Sequence, residues 1–594
     1  PTLETRPLGM DAKGDSSRKA KRDNDVETPS LPSPRAITQW QITMQMNNAM
    51  SEIGPGPYQL VVLLLGGGVY MAEGSLLLML SVIAKSLIAR WKLSALFAGA
   101  MVSIIFIGLL AGTIAGGFLC DRYGRRMAIL ATYGGITIFL IIALLSPDML
   151  LLIGAKFMLG VSLGFGVPAS NALVCESCPS SHRSNVYSMT MVLFSLGQMY
   201  TAVVIWLMSP NINHDELHWR HMFAVATMLP LVLWILSYFF LLESPHWLLL
   251  MQRYSEAKAV VIAMATYKGT VLPREIEELT DRIQTPVASG AATPAAFGDS
   301  SSEEGEESCC TQTLDEKAWT SALQSVHLVI EGIKTDMAHF GELFSDKFYT
   351  TTVLMSYICF VSNFAYYGMI YGLPDTLKRE QETQVHPETH WSPAAGVFFS
   401  AVFEIPGVFL AMVLGMTVGR KVNMVIAFGG TGLALAAVTM VLWKNKLANE
   451  GLVAVFLVKL FISAAFIVVY LYLLECYPTK FRATGLAFCM VVGRLGAFAC
   501  PFLYDGLIMG ELHYVWFFVC MFCLVMAAST TAYFLPYETK DTQLMEDSAP
   551  PRVGETTGLL PGGVEETNYE TLKGRVSVTL PLSATHAARR RRDE

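Results

Sequence analysis

Residues 57–87 read PYQLVVLLLGGGVYMAEGSLLLMLSVIAKSL. The run is long enough to cross a bilayer, which takes roughly 20 mostly apolar residues. One acid, Glu73, sits near its middle. A carboxylate at that depth costs about 2.5–3.5 kcal/mol on insertion scales, so it is expected to face protein or a wet cavity. The glycines at 66–68 and 74 let another backbone come close. A lone acid in a crossing helix is most simply explained as part of a pathway for a proton or a solute, with the rest of the chain as its cage.

The totals agree. The chain has 594 residues, 53% of them hydrophobic and only 15% charged, with mean hydropathy +0.44. Soluble globular chains carry roughly 25% charged residues. The apolar runs far exceed the ~10 residues of a barrel strand, so an all-α polytopic membrane protein is expected. Spans are read near 57–84, 94–118, 127–146, 149–173, 186–208 and 221–242, then near 349–373, 394–416, 422–443, 451–475, 484–506 and 513–535. This gives a disordered cytoplasmic N-terminus (1–56), an N-terminal six-helix bundle (57–245) and a cytoplasmic linker with short helices and an acidic disordered stretch (246–345). A C-terminal six-helix bundle (346–536) and a disordered cytoplasmic tail (537–594) complete the chain.

Lys and Arg near span ends set orientation. Arg122, Arg125, Arg126, Arg420, Lys421, Lys480 and Arg482 fall on one side, which puts both termini in the cytoplasm. Lys85, Arg90 and Lys92 count against this. Cys175-x-x-Cys178 and Cys520-x-x-Cys523 lack partners at zinc spacing, so no metal is expected. No cofactor and no nucleic-acid partner are expected either. The absence of a G-x-x-x-x-G-K-[S/T] motif argues against ATP drive, and no Ser/His/Asp constellation in the spans suggests an enzyme.

The two sets of six spans echo each other. Glu176-Ser-Cys-Pro-Ser-Ser-His-Arg183 follows the fourth span, and Glu475-Cys-Tyr-Pro-Thr-Lys-Phe-Arg482 follows the tenth, 299 positions on. Asp121-Arg122-Tyr-Gly124-Arg125-Arg126 follows the second span. Met416-Thr-Val-Gly419-Arg420-Lys421 follows the eighth, 295 positions on. Two motifs at nearly one offset imply homologous halves, the parallel repeat of a rocking transporter. An acid at one span end and an Arg across a short loop can pair, making a latch that biases one state over another.

These motifs resemble the major facilitator superfamily. Gly117 to Arg126 matches its G-x-x-x-D-R-x-G-R-R signature. Leu242-Glu243-Ser-Pro-His-Trp-Leu-Leu is similar to the signature closing the sixth span of sugar-porter-like members, with His246 in place of Arg. Asn363-Phe-Ala-Tyr-Tyr-Gly368, Glu404-Ile-Pro-Gly407 and Arg494-Leu-Gly resemble synaptic-vesicle-2-related proteins and organic ion transporters. Met416 stands where the family pattern expects Asp, which weakens the second latch. The resemblance implies twelve transmembrane helices in two six-helix pseudo-repeats, with spans 1, 4, 7 and 10 lining a cavity.

Candidate pathway residues are Glu73, Asn363, Tyr367, Lys459 and Tyr470 on those spans, with Glu404 on span eight. Glu73 is the proton- or cation-site candidate. Glu404 is a pathway acid or a structural one bonded to backbone. Lys459 holds an anion or pairs with an acid. Lys156 lines the cavity or snorkels to the interface, and Arg494 braces helices. Glu555-Thr-Thr-Gly-Leu559-Leu560 has the form of an acidic dileucine signal, and Tyr569-Glu-Thr-Leu572 that of a tyrosine-based one. Both point to a sorting adaptor and to a plasma or vesicular/endolysosomal membrane. The leading functional expectation is a proton-coupled, alternating-access carrier of a small polar organic solute. A non-transporting vesicle scaffold and a facilitative sugar carrier are its rivals.

Overall fold

The computed structural model describes residues 48–269 and 341–539, with breaks at 55, 92–93, 179–182, 213–217, 342, 346–347, 384–391, 445–448, 478–481, 510–512 and 537. The acidic stretch and both sorting motifs (Glu555, Leu559, Leu560, Tyr569 and Leu572) lie outside these residues. So do the side chains of Arg183 and Arg482.

The described residues are helical. The first half holds α1 (Pro57–Gly66), α2 (Gly68–Trp91), α3 (Ala95–Tyr123), α4 (Arg125–Leu145), α5 (Met149–Glu176), α6 (Arg183–Met208) and α7 (Trp219–Phe240). Two short helices follow, α8 (Pro245–Leu250) and α9 (Tyr254–Lys268). The second half holds α10 (Tyr349–Thr383), α11 (Pro393–Val402), α12 (Glu404–Thr417), α13 (Arg420–Trp443), α14 (Asn449–Cys476), α15 (Arg482–Met509) and α16 (Val515–Tyr533). With α1–α2 and α11–α12 counted as one span each, twelve spans are long and apolar enough to cross a membrane.

The two broken spans show how a bilayer helix tolerates interruption. At the α1–α2 break the Tyr133 hydroxyl donates to the Leu65 carbonyl (2.7 Å) and Ser170 to that of Gly66 (2.8 Å). At the α11–α12 break Ser463 donates to the Glu404 carbonyl (3.1 Å). In hydrocarbon a freed carbonyl needs such a partner, and the Tyr133 and Ser170 hydroxyls supply it at the first break. Helix starts follow local rules as well. Pro245 and Pro393 open α8 and α11, where no N–H is needed, and Ser244 and Ser392 cap them.

Neighbour relations repeat between halves. Within the first, α3 packs on α5, α2 on α6, and α4 on α5 and α7. Within the second, α12 packs on α14, α10 on α15, and α13 on α14 and α16. Advancing each first-half span by six gives its second-half counterpart. The contacts across the halves, α3 with α15 and α6 with α11–α12, obey the same exchange. Glycine allows the tightest of these crossings. A methyl group at Gly112 would overlap the Val161 carbonyl, and one at Gly164 that of Leu109. The α3 and α5 backbones thus touch directly, as small residues permit in membranes.

Candidate functional site

The basic loop motifs gather at one face of the bundle, called here the basic face. Gly124 separates α3 from α4 at φ +100°, a conformation glycine adopts without strain. The turn aims Arg125 at Glu176 (3.2 Å) and at Asp121 (3.0 Å), although the Asp121 carboxylate is 73% exposed and adds little. Glu243 accepts from the amides of Arg125 (2.8 Å), Arg126 (3.1 Å) and Ser244 (3.0 Å). The Ser244 hydroxyl bonds Glu176. Arg126 donates to the Tyr238 carbonyl (2.8 Å), and Arg122 lies against the Tyr123 ring.

The second half repeats the knot. Gly419 has φ +90°. Arg420 meets both carboxylate oxygens of Glu475 (3.2 Å each). Glu538 accepts from the amides of Arg420 (2.7 Å), Lys421 (3.1 Å) and Thr539 (3.1 Å), and Thr539 donates to Glu475 (2.7 Å). Met416, in the place of Asp121, is exposed. Each knot ties the helix ends of its own bundle. Glu538 and Thr539 are the counterparts of Glu243 and Ser244, both 295 positions on, and sequence reading missed them. The signal was available, because Leu242-Glu-Ser and Tyr537-Glu-Thr stand at the offset already found for the arginine loops.

Between the halves lies a central cavity lined by Tyr70, Glu73, Tyr187, Tyr367, Tyr470 and Arg494, among others. Glu73 is 1% exposed. It accepts from the Tyr367 hydroxyl (3.3 Å) and from Arg494 (3.4 Å), and Arg494 also donates to the Tyr367 oxygen (2.7 Å). Arg494 therefore does more than brace helices: it supplies the acid's counter-charge from the opposite half. Asn363 stands behind the wall and donates to the Tyr470 hydroxyl (3.0 Å). The cavity is about 30 Å³, room for a water or two. An organic solute needs the halves to part further.

Glu404 and Lys459 form a second buried centre, 2.6 Å apart and at most 2% exposed. The first half contributes two donors to Glu404, Ser195 (2.9 Å) and Gln198 (2.7 Å). Tyr366, a wall of the central cavity, donates as well (2.9 Å). Ser195 and Gln198 are uncharged and sit on span five, and nothing in the sequence singled them out.

At the face opposite the basic one, Lys85 of α2 reaches across to α15 and α10. It bonds Asp505, lies 4.0 Å from Asp375, and sits over the rings of Tyr371 (4.7 Å) and Tyr504 (4.6 Å). Tyr371 donates to Asp505 (2.7 Å), Tyr504 to Asp375 (3.1 Å), and Arg379 pairs with Asp375 (2.9 Å). The Ala394 amide also bonds the Pro210 carbonyl across the halves (3.2 Å). The two halves are thus sealed at this end. Lys85 is no loop charge at all, which removes one count against the orientation read from the sequence.

Lys156 is 2% exposed, so it does not snorkel. Its side chain lines a separate inner cavity with Ser81, Phe106, Tyr367, Tyr371 and Cys500.

Residues 62–501 match the family model described as Major Facilitator Superfamily. The chain is 25% identical over 507 residues to "Organic cation/carnitine transporter 7" of Arabidopsis thaliana, covering 84% of this chain and 96% of that one. It is 24% identical over 520 residues to "Synaptic vesicle 2-related protein" of Xenopus laevis, covering 85% of this chain and 83% of the other. Among solved structures, a partially occluded inward-open form of the xylose transporter XylE from E. coli matches with TM-score 0.58 at 15% identity. That match covers 82% of this chain and all (100%) of that one.

Proposed function

We infer the function from one premise: this chain belongs to the major facilitator superfamily and is a multi-pass integral membrane protein. We propose that it is a secondary active transporter of a small polar organic solute, coupled to protons and working by alternating access. The observation carrying this reading is the Glu73–Tyr367–Arg494 contact. It places a titratable acid in a cavity between two bundles, with its counter-cation on the bundle that must move.

The steps follow from the geometry. In the form described, the Lys85 cluster closes the opposite face, and the central cavity lies toward the basic face. Ionised Glu73 holds Arg494 and so holds the halves together at the centre. A proton on Glu73 would weaken that pairing, as would a cationic solute group competing for the carboxylate. Either would release Arg494 and Tyr367 and let the halves tilt. The Glu404–Lys459 centre bridges the same halves through Ser195 and Gln198, and these two bonds would exchange as the tilt proceeds. The knots at the basic face keep each bundle rigid while it tilts. With the basic face read as cytoplasmic, both termini lie inside. The tail motifs would then meet a sorting adaptor at a plasma, vesicular or endolysosomal membrane.

Proteoliposomes loaded with a pH-sensitive dye test the reading against organic cations, organic anions, vitamins and sugars. The expected result is that one solute class triggers proton influx in the native protein and none does in Glu73→Gln. Uptake indifferent to the gradient would favour a facilitative carrier. No uptake of any class would leave the scaffold reading.

A further inference from the structure

Four Lys or Arg side chains are buried among the described residues: Arg125, Lys156, Lys459 and Arg494. Three meet a carboxylate, Arg125 at Glu176, Lys459 at Glu404 and Arg494 at Glu73. Lys156 does not. Its Nζ has no hydrogen-bond partner among the described residues. An ammonium carries three donors and no acceptor, and burying it unpaired is costly, so such groups are paired or coordinate something.

No acceptor on the cavity wall lies within hydrogen-bond distance of its Nζ among the described residues. Leu77, Leu80, Val102, Ile105 and Ile370 are apolar. The Ser81 hydroxyl donates to the Leu78 carbonyl (2.7 Å). The hydroxyls of Tyr367 and Tyr371 donate to Glu73 and Asp505 respectively. What remains is one unpartnered amine facing about 20 Å³ of apolar-walled space, roughly one water-sized sphere, where an anion would favour its charged form. Tyr367 lines both this cavity and the central one.

We propose that Lys156 and its cavity form a binding site for one small monovalent anion: a halide in the form described, or the carboxylate head of a solute once the halves part. The apolar walls select for a weakly hydrated ion or for a carboxylate carrying an alkyl group. The site stands on the surroundings of Lys156 alone; that its anion travels with a transported solute rests also on the reading above.

The test is thermal unfolding of the purified full chain in detergent, with chloride or butyrate titrated against gluconate at constant ionic strength. A ligand bound only to the native form raises the melting temperature by mass action. The expected result is a saturable rise of several degrees in the native protein and in Lys156→Arg, absent in Lys156→Gln. Chloride acting alone identifies an inorganic ion; butyrate acting, with chloride competing, identifies a solute head. Equal anion responses in the native protein and Lys156→Gln, or no saturable response in either, overturn the proposal. Should Lys156→Gln fail to fold, crystals of the native protein grown in bromide decide: an anomalous peak beside Lys156 Nζ supports the site, and none there refutes it. Anion binding without uptake of any solute would remove the transport reading and leave this one standing.

Discussion

Breaking the Glu404–Lys459 pair should destabilise the protein sharply, and more so from one side than from the other. The two charges are 2.6 Å apart and buried. At an effective dielectric of about 20 their attraction is roughly 6 kcal/mol before desolvation is counted. Desolvation offsets most of that, so the pair's net contribution is small. Removing one partner is different, because it strands the other charge, at about 3–5 kcal/mol. Glu404→Leu leaves Lys459 with the Gln198 amide oxygen at 3.3 Å and the Tyr366 ring at 5.5 Å, and deprives Ser195, Gln198 and Tyr366 of their acceptor. Lys459→Met leaves Glu404 with all three of those donors. The predicted order of loss is therefore Glu404→Leu, then Lys459→Met, with the double variant losing less than the two singles together. Melting temperatures in one detergent, arranged as a double-mutant cycle, measure this. Additive losses, or a milder Glu404→Leu, would refute the assignment of Glu404 as the hub.

Other expectations follow from the same contacts. Lys85→Met should unlock the seal opposite the basic face, so that Ser81→Cys in a cysteine-depleted background reacts several-fold faster with an impermeant thiol reagent; an unchanged rate counts against the seal. Glu243→Gln and Glu538→Gln should cost similar amounts, about 1–3 kcal/mol each, because each acid accepts three backbone amides. A silent Glu538→Gln beside a damaging Glu243→Gln would break the proposed equivalence. Gly124→Ala should cost about 1–3 kcal/mol of backbone strain and displace the Glu243 carboxylate it would overlap, lowering the melting temperature; full stability would argue against the turn described.

Much of this architecture could be read from the chain before any coordinates. The bilayer forces apolar runs of fixed length, so the spans stood out, and a buried acid such as Glu73 is conspicuous in such a run. Pairings were harder. Glu73 and Arg494 are 421 residues apart and Lys85 and Asp505 are 420 apart, distances over which sequence pattern carries no contact information. Lys85 looked like a loop charge because the hydropathy signal fades before the helix does; α2 runs on to Trp91. The family resemblance assigned Lys156 to the cavity-lining set, and the alternative of snorkelling was equally open, since neither depends on which way a helix is turned. The break before Glu404 was half visible, because Pro406 announced a freed carbonyl, but the polar partners on span five were not.

The account turns on Glu73 as the group that couples a proton to movement of the halves. Proteoliposomes with Glu73→Gln, given the solute class that the native protein takes up, measure this most directly. Exchange of solute between equal pools on the two sides should persist, because the bundles can still tilt. Accumulation against a solute gradient under an imposed proton gradient should vanish. If the variant accumulates solute as the native protein does, the proton rides elsewhere and the central claim is wrong.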